Sequence, residues 1–555
     1  LLGDLGSLTE LTHHLMQTML PDALDALFLA DDSLRNITST DPSQTAPASS
    51  GKENEFTAFG PFKPIQRGPS SGLTEQQQTA LNRIVARYTA RTAQSKELTQ
   101  HHRSHLADPR VAAGFRSQWK EIVYPIITSR SKGTRLWDVD GNEYIDMLNG
   151  FGCILFGHAP DFVVEAVNQQ MLQGFEIGPQ TLLAGEAAQL MCEMTGLDRA
   201  TFSNTGSEAV MAAMRLARTV TGRMRIVSFI GDYHGTFDEV LAKSVGADHR
   251  SIPIAPGIPQ GKVDNLTVLP YGTDESLKWI RDHANELAAV LVEPVQSRHP
   301  ALQPQSFLKE VRRITEASGA ALIMDEVITG FRSHSGGAQA LFGVKADLAS
   351  YGKVIGGGMP IGVLCGTRKF MDALDGGMWQ YGDDSFPEVG VTFFAGTFVR
   401  HPATMAAVIA CLKHLKEKGP ALQEMLNTKC HTLVERLNRL FVERGFPTNI
   451  EYFSSWFFFS FAPEHRLGSL LFYLLRERGI HIQEGFPCFL TTAHTDADLE
   501  RVYQAFRSSV DELMTNGFLV PALGRTATIN NAQPLITPAV SAKAADDTPK
   551  CTATK

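Results

Sequence analysis

A chain of 555 residues is long enough for a large two-part core with a buried site and appendages, since single domains run to about 100 to 200 residues. Lys and Arg number 51 against 59 Asp and Glu, a formal net charge of -8, so there is no basic excess to neutralise a phosphate backbone and nucleic acid is excluded as an expected partner. Seven cysteines, at Cys153, Cys192, Cys365, Cys411, Cys430, Cys488 and Cys551, form no CxxC pair and show no metal-ligand spacing. They read as free thiols of a reducing cytoplasm. No apolar run approaches the roughly 20 residues of a membrane span, and the first residues lack a secretion signal, so the expectation is a cytoplasmic protein without a membrane partner.

Along the chain, Leu8, Leu11, Leu15 and Met19 line one helical face before Pro21 interrupts it, so residues 1–37 are expected to be a small helical remnant. Residues 38–73 turn to Ser, Thr, Pro and Gly with little apolar surface to bury, which predicts a flexible linker. Thr74 and Gln77 then make a capping box ahead of Leu81, Ile84, Val85 and Tyr88, predicting an amphipathic helix within an N-terminal helical segment over 74–136. Over 137–400, short Ile- and Val-rich runs alternate with helical patterns, the mark of parallel strands joined by crossover helices in an α/β core. From 401 to 515, helices around Val408 to Leu415 and Leu433 to Phe441, an apolar strand at Trp456 to Phe461 and a helix opening at Thr495 predict a smaller α+β domain. The Ala-, Thr- and Pro-rich tail over 516–555 is expected to be disordered.

Within the core, five predicted strands end in polar or glycine-containing turns: Thr201 to Ser203, Ile226 to Ile230, Ala289 to Val292, Ala321 to Met324, and Leu348 to Tyr351. In open α/β sheets the ligand crevice lies outside these carboxyl ends, so the five turns should converge on one pocket. The first turn, Asn204-Thr205-Gly206-Ser207-Glu208, opens a helix, and small residues there leave N–H groups free for an anion such as phosphate. A plain helix cap explains the motif equally well. Asp325 follows four apolar residues, where an unpaired carboxylate is costly, so it needs a cationic partner; a structural ion pair would also serve. Lys353 stands 28 residues on (353 - 325) among glycines and apolar residues, not among other charges.

Taken together, these motifs resemble the class III aminotransferases, especially the glutamate-1-semialdehyde type, over about Tyr124 to Leu513. The resemblance implies the fold-type-I architecture of pyridoxal-phosphate enzymes, with a mainly parallel seven-stranded sheet in the large domain. It implies that Lys353, in Tyr351-Gly352-Lys353-Val354, carries pyridoxal 5'-phosphate covalently, and that Asp325, in Met324-Asp325-Glu326-Val327, pairs with the protonated pyridine nitrogen. Tyr233, in Asp232-Tyr233-His234-Gly235, would stack on one ring face, Val327 would pack on the other, and Gly206 and Ser207 would hold the phosphate. His234 is expected as a hydrogen-bonding neighbour of Tyr233. Thr397, in Ala395-Gly396-Thr397-Phe398, resembles the threonine that completes the phosphate site of a neighbouring subunit, which implies a homodimer.

Further segments, among them Gly60-Pro61-Phe62-Lys63-Pro64-Ile65, Leu106-Ala107-Asp108-Pro109-Arg110 and Glu293-Pro294-Val295-Gln296-Ser297-Arg298, look like aminotransferase domains of hybrid polyketide/nonribosomal peptide synthases of the iturin and microcystin type. That resemblance implies transfer of an amino group from a donor such as glutamate or glutamine to a carrier-bound β-ketoacyl thioester, with other synthase domains as partners. Ser7 would be a phosphopantetheine-bearing serine in a carrier tail, although Gly6 stands where the carrier pattern has aspartate. Glu293, Gln296 and Arg298 are expected to line the substrate pocket. The arginine that many class III enzymes place late in the chain for a substrate carboxylate has no counterpart around Gly485-Phe486-Pro487-Cys488. The alternatives are a glutamate-1-semialdehyde-type aminomutase, which needs no separate donor, and a non-catalytic scaffold module with the same fold.

Overall fold

Residues 72–109 and 115–520 are described in the computed structural model of the chain. The expected helix over 1–37, the linker up to residue 71, Ser7 and the tail beyond residue 520 lie outside the described residues. At the start of the described chain, Thr74 caps the helix Glu75–Arg91 with the reciprocal Gln77 bond that the sequence predicts, and Leu81, Ile84 and Tyr88 are buried. Three short strands follow, β1 (Thr128–Lys132), β2 (Arg135–Asp138) and β3 (Glu143–Asp146), paired antiparallel in that order.

The central sheet is built from β4 (Arg199–Ser203), β5 (Arg225–Phe229), β8 (Leu266–Leu269), β9 (Leu287–Val292), β10 (Ala321–Asp325), β11 (Leu348–Gly352) and β12 (Gly362–Gly366). A hairpin of β6 (Ala242–Val245) and β7 (Arg250–Pro253) stands apart from it. The seven strands run in the order β4-β12-β11-β10-β9-β5-β8. All neighbours are parallel except β12, which is antiparallel to both β11 and β4. Every residue of β9, β10 and β11 is buried, which is why these segments read as continuous apolar runs rather than alternating ones. Truncating one of their large residues, the fully buried Leu322 for example, leaves a cavity on the sheet face it packs against and costs about 2–5 kcal/mol.

Toward the C-terminus, the helices Pro402–Lys418 and Ala421–Arg444 precede a small antiparallel sheet of β13 (Glu451–Phe453), β14 (Trp456–Phe458) and β16 (Cys488–Phe489). Between β14 and β16 in sequence, β15 (Ile480–His481) leaves this sheet and pairs parallel with β3, so the N-terminal and C-terminal segments share one sheet. The helix Asp496–Thr515 opens on Thr495 with a capping box to Asp498. No helix among the described residues is long and apolar enough to cross a membrane, and the six described cysteines are free.

Candidate active site

The carboxyl ends of β4, β10 and β11, together with the turn after β5, converge on a cavity of about 280 Å³. Of the expected residues, Gly206, Ser207, Tyr233, His234, Glu293, Asp325, Val327 and Lys353 line it, joined by Cys153, Asn204, Thr205, Gly235, Ile328 and Met359 to Ile361.

One wall is the start of the helix Gly206–Thr221. Thr205 caps it through Glu208 N–H, and the Glu208 carboxylate reaches back to Asn204 and Thr205 N–H. The N–H groups of Gly206 and Ser207 open this helix without intrahelical acceptors, at the positive end of its dipole. Close packing fixes the loop. A Cβ on Gly206 would stand 2.9 Å from the Val327 methyls, one on Gly235 would overlap Ser207, and one on Gly362 would overlap the Thr205 carbonyl. Gly235 also sits at φ +107°, a backbone conformation that side-chain-bearing residues rarely adopt. The result is a small-residue cradle beside free N–H donors, into which a phosphate fits.

Asp325 ends β10, 5% exposed. Its Oδ1 accepts from Val327 N–H at 3.1 Å and Ser350 Oγ–H at 3.2 Å, and its Oδ2 faces His234 Nδ1 at 2.9 Å. The other ring nitrogen of His234 faces Asp232 Oδ2 at 3.1 Å. The expected hydrogen bond between His234 and Tyr233 is therefore corrected: the ring bridges two buried carboxylates, because both nitrogens point along the line between them. Burial opposes a charged ring here, but the hydrogen bonds to Asp232 and Asp325 outweigh it and raise the His234 pKa to about 10. Burial, then the charges of Asp232 and Asp325, push the Glu293 carboxyl up to about 8.

These two shifts have one sign. A raised folded-state value contributes stability that is full below the ordinary value of the group and is lost as pH climbs through the raised one. For Glu293 that window runs from about 4.5 to about 8, and for His234 from about 6.5 to about 10. The thermal midpoint is therefore expected to fall between pH 7 and pH 10. In His234→Gln it should start lower by the equivalent of about 3 kcal/mol or more, since two buried carboxylates lose their cation, and the alkaline decline should flatten. A wild-type midpoint that is level across that range would reject the charged bridge.

Lys353 follows β11 with φ +45°, an uncommon left-handed conformation for a side-chain-bearing residue. It is held there by the register Gly352↔Gly362 and by the buried Val354 and Ile355. Among the described residues its amine has no hydrogen bond or ion pair, and burial lowers its pKa, against the opposing pull of Cys153, Asp325 and Glu293. An unpaired amine, a carboxylate and a helix N-terminus thus face one space. This is the donor set that the aldehyde, ring nitrogen and phosphate of pyridoxal phosphate require.

Three expected site residues lie elsewhere. The expectation that Gln296 lines substrate space is corrected: it is 1% exposed, and its amide donates to the Ile230 carbonyl at 2.9 Å and to Asp232 Oδ1 at 2.7 Å. It steadies Asp232 from behind. Arg298 flanks the cavity without lining it, donating Nε to the Gly485 carbonyl at 3.1 Å. Thr397 is exposed on an irregular stretch over 375–401 and does not line the cavity of its own chain. Sequence reasoning missed Asp232, although Asp-x-His places both side chains on one side of a turn. It also missed Cys153, for which no sequence signal was available.

A family model described as "Aminotransferase class-III" matches residues 116–487. The glutamate-1-semialdehyde 2,1-aminomutase of Archaeoglobus fulgidus is 35% identical over 403 residues, which is 70% of this chain and 93% of that protein. Among solved structures, an omega-transaminase from Sphaerobacter thermophilus superposes with TM-score 0.67 at 29% identity, covering 75% of this chain and 97% of its own. A structure described as a transaminase with PLP bound superposes with TM-score 0.68 at 29% identity, covering 77% and 99%.

Proposed function

The chain belongs to the class-III aminotransferase family, and on that premise we propose that it moves an amino group from an amino-acid donor to a carbonyl compound, with pyridoxal phosphate held at Lys353. The observation that carries this is the meeting of an unpaired Lys353 amine, the Asp325 carboxylate and the Gly206–Ser207 N–H groups around one cavity. When bound, the cofactor supplies a carbonyl that exchanges amino groups and a ring that draws negative charge away from the neighbouring carbon. The protein supplies the rest. Gly206 and Ser207 would take the phosphate, Tyr233 and Val327 would hold the ring, and Asp325 would pair with the ring nitrogen. His234, itself steadied by Asp232 and, through Asp232, by Gln296, keeps the Asp325 carboxyl aimed. The Lys353 amine, its pKa lowered by burial, would accept and hand on the proton of the substrate carbon.

The proposed assembly is a homodimer. The stretch over 375–401 carries Thr397 and exposes Phe386, Phe393 and Phe398. Large apolar side chains exposed along one stretch call for a protein partner, and a second copy would bring Thr397 to its cavity.

The synthase-like motifs favour a separate donor with a carrier-bound β-ketoacyl thioester as acceptor, whereas the aminomutase names of the curated relatives favour transfer within one amino-aldehyde. The holoenzyme is to be incubated with single amino acids and the keto acid measured. One keto acid per active site, formed together with loss of the visible band of the protein-bound cofactor, is expected for the aminotransferase. Conversion of glutamate-1-semialdehyde with no keto acid released would instead select the aminomutase.

A further inference from the structure

The late arginine for a substrate carboxylate is missing from the segment around Gly485, yet a guanidinium from another part of the chain occupies that neighbourhood. Arg298, six residues past the end of β9 (298 - 292), donates Nε to the Gly485 carbonyl across a sequence separation of 187 residues. Among the described residues, neither of its Nη groups has a hydrogen bond or an ion pair, and neither is a fully buried orphan. Two approaches tie it to the cavity. Arg298 is the cation that acts on the Tyr233 phenol, opposing the rise that burial gives it, and its own charge is supported by Glu293 and Tyr233, both cavity-lining. On the other side, Phe486, next to Gly485, meets Phe151 with ring centroids 4.8 Å apart, and Phe151 stands two residues before the cavity-lining Cys153. Arg298 is thus tied by charge to two residues that line the cavity, and by its Gly485 bond to a segment that packs on Phe151.

Arg332, whose charge acts on Lys353, cannot serve. Arg332 is fully buried, and its Nη groups are taken by Ser455 Oγ at 3.0 Å and by the carbonyls of Leu490 at 3.1 Å and Gly152 at 2.9 Å. Among the described residues Glu293 makes no ion pair with Arg298; its Oε2 accepts from the Tyr233 N–H at 2.8 Å.

We propose that Arg298 is the carboxylate receptor of this site, taking the anionic end of the amino-acid donor on its two free Nη groups. The planar fork of two N–H donors matches a carboxylate, and Gly485 fixes the guanidinium plane in advance. This inference rests on the aminotransferase reading above.

The test uses the holoenzyme, with glutarate as an unreactive carboxylate probe followed by calorimetry, and two donors in the half-reaction: glutamate, and propylamine, which has no carboxylate. Arg298→Gln is expected to weaken glutarate binding and raise the glutamate KM by roughly 10- to 100-fold, the worth of a charge-assisted hydrogen-bonded contact. The propylamine rate should hold within about twofold, and Arg298→Lys should recover part of the glutarate affinity. Unchanged glutarate and glutamate parameters in Arg298→Gln overturn the proposal, as does an equal loss for propylamine, which marks a merely structural role. A wild-type protein that discharges propylamine but binds no carboxylate overturns it too and leaves the aminotransferase reading intact. Failure to discharge either amine with glutarate still bound at Arg298 counts against that reading instead and supports the carboxylate site.

Discussion

In Lys353→Ala, turnover is expected to fall by roughly 10⁴-fold or more, and the visible band of the protein-bound cofactor to disappear, while the thermal midpoint holds or rises. The three readouts follow from one environment. Lys353 has no hydrogen-bond or ion-pair partner among the described residues, and burial disfavours its charged form, so its amine contributes chemistry and little stability. The φ of +45° persists with alanine, so no backbone strain is relieved by that change. Lys353→Gly should add about 1 kcal/mol of stability over Lys353→Ala, because glycine adopts the left-handed region freely. Absorbance, steady-state assays and thermal melting read all of this in one preparation. Turnover above about 1% of wild type in the alanine variant would remove Lys353 from its proposed role.

For Asp325→Asn, the expectation is a loss of about 10³-fold in turnover, equivalent to about 4 kcal/mol, and weaker retention of the cofactor on dialysis. The carboxylate has three donors around it, Val327 N–H, Ser350 Oγ–H and the His234 ring, and sits against a cavity that would hold a protonated ring nitrogen. An amide of the same shape offers one acceptor where two are needed and turns N–H groups toward donors. It also leaves His234 with Asp232 as its one remaining carboxylate, which removes part of the cause of its raised pKa. The alkaline decline in stability should therefore move to lower pH in this variant. Asp325→Asn with turnover within about tenfold of wild type would mean that the carboxylate serves the fold alone.

How the site is supported explains why those two residues carry the largest effects. Both stand at the carboxyl ends of strands buried on both faces, so their backbone positions are set by the sheet and not by a mobile loop. Gln296, Asp232 and His234 form a chain behind Asp325, and a side chain at Gly206, Gly235 or Gly362 would push the cradle open. Arg332, with its pKa lowered to about 10 by burial, ties the turn after β10 to Ser455, Leu490 and Gly152, and so links the cavity wall to the C-terminal sheet.

The sequence by itself determined the elements and the reactive groups. Apolar runs bounded by turns marked β4, β5, β9, β10 and β11, and the polar partners at Thr74 and Thr495 marked helix starts, because strand and helix periodicities and caps involve residues only two to four positions apart. Asp325 and Lys353 stood out for the same local reason, a charge placed where its neighbours are apolar or glycine. Tertiary structure alone decided the pairings between distant residues. It set β12 antiparallel within the sheet and drew β15 onto β3. It also joined His234 to Asp325 across 91 residues and Arg298 to Gly485 across 187. Such contacts leave no period in the chain, since which long loops close is settled by the packing of the whole core and not by any window of sequence. Gln296 shows the difference: its place after a strand suggested substrate contact, and the fold turned its amide to Asp232, whose buried carboxylate needed a donor more.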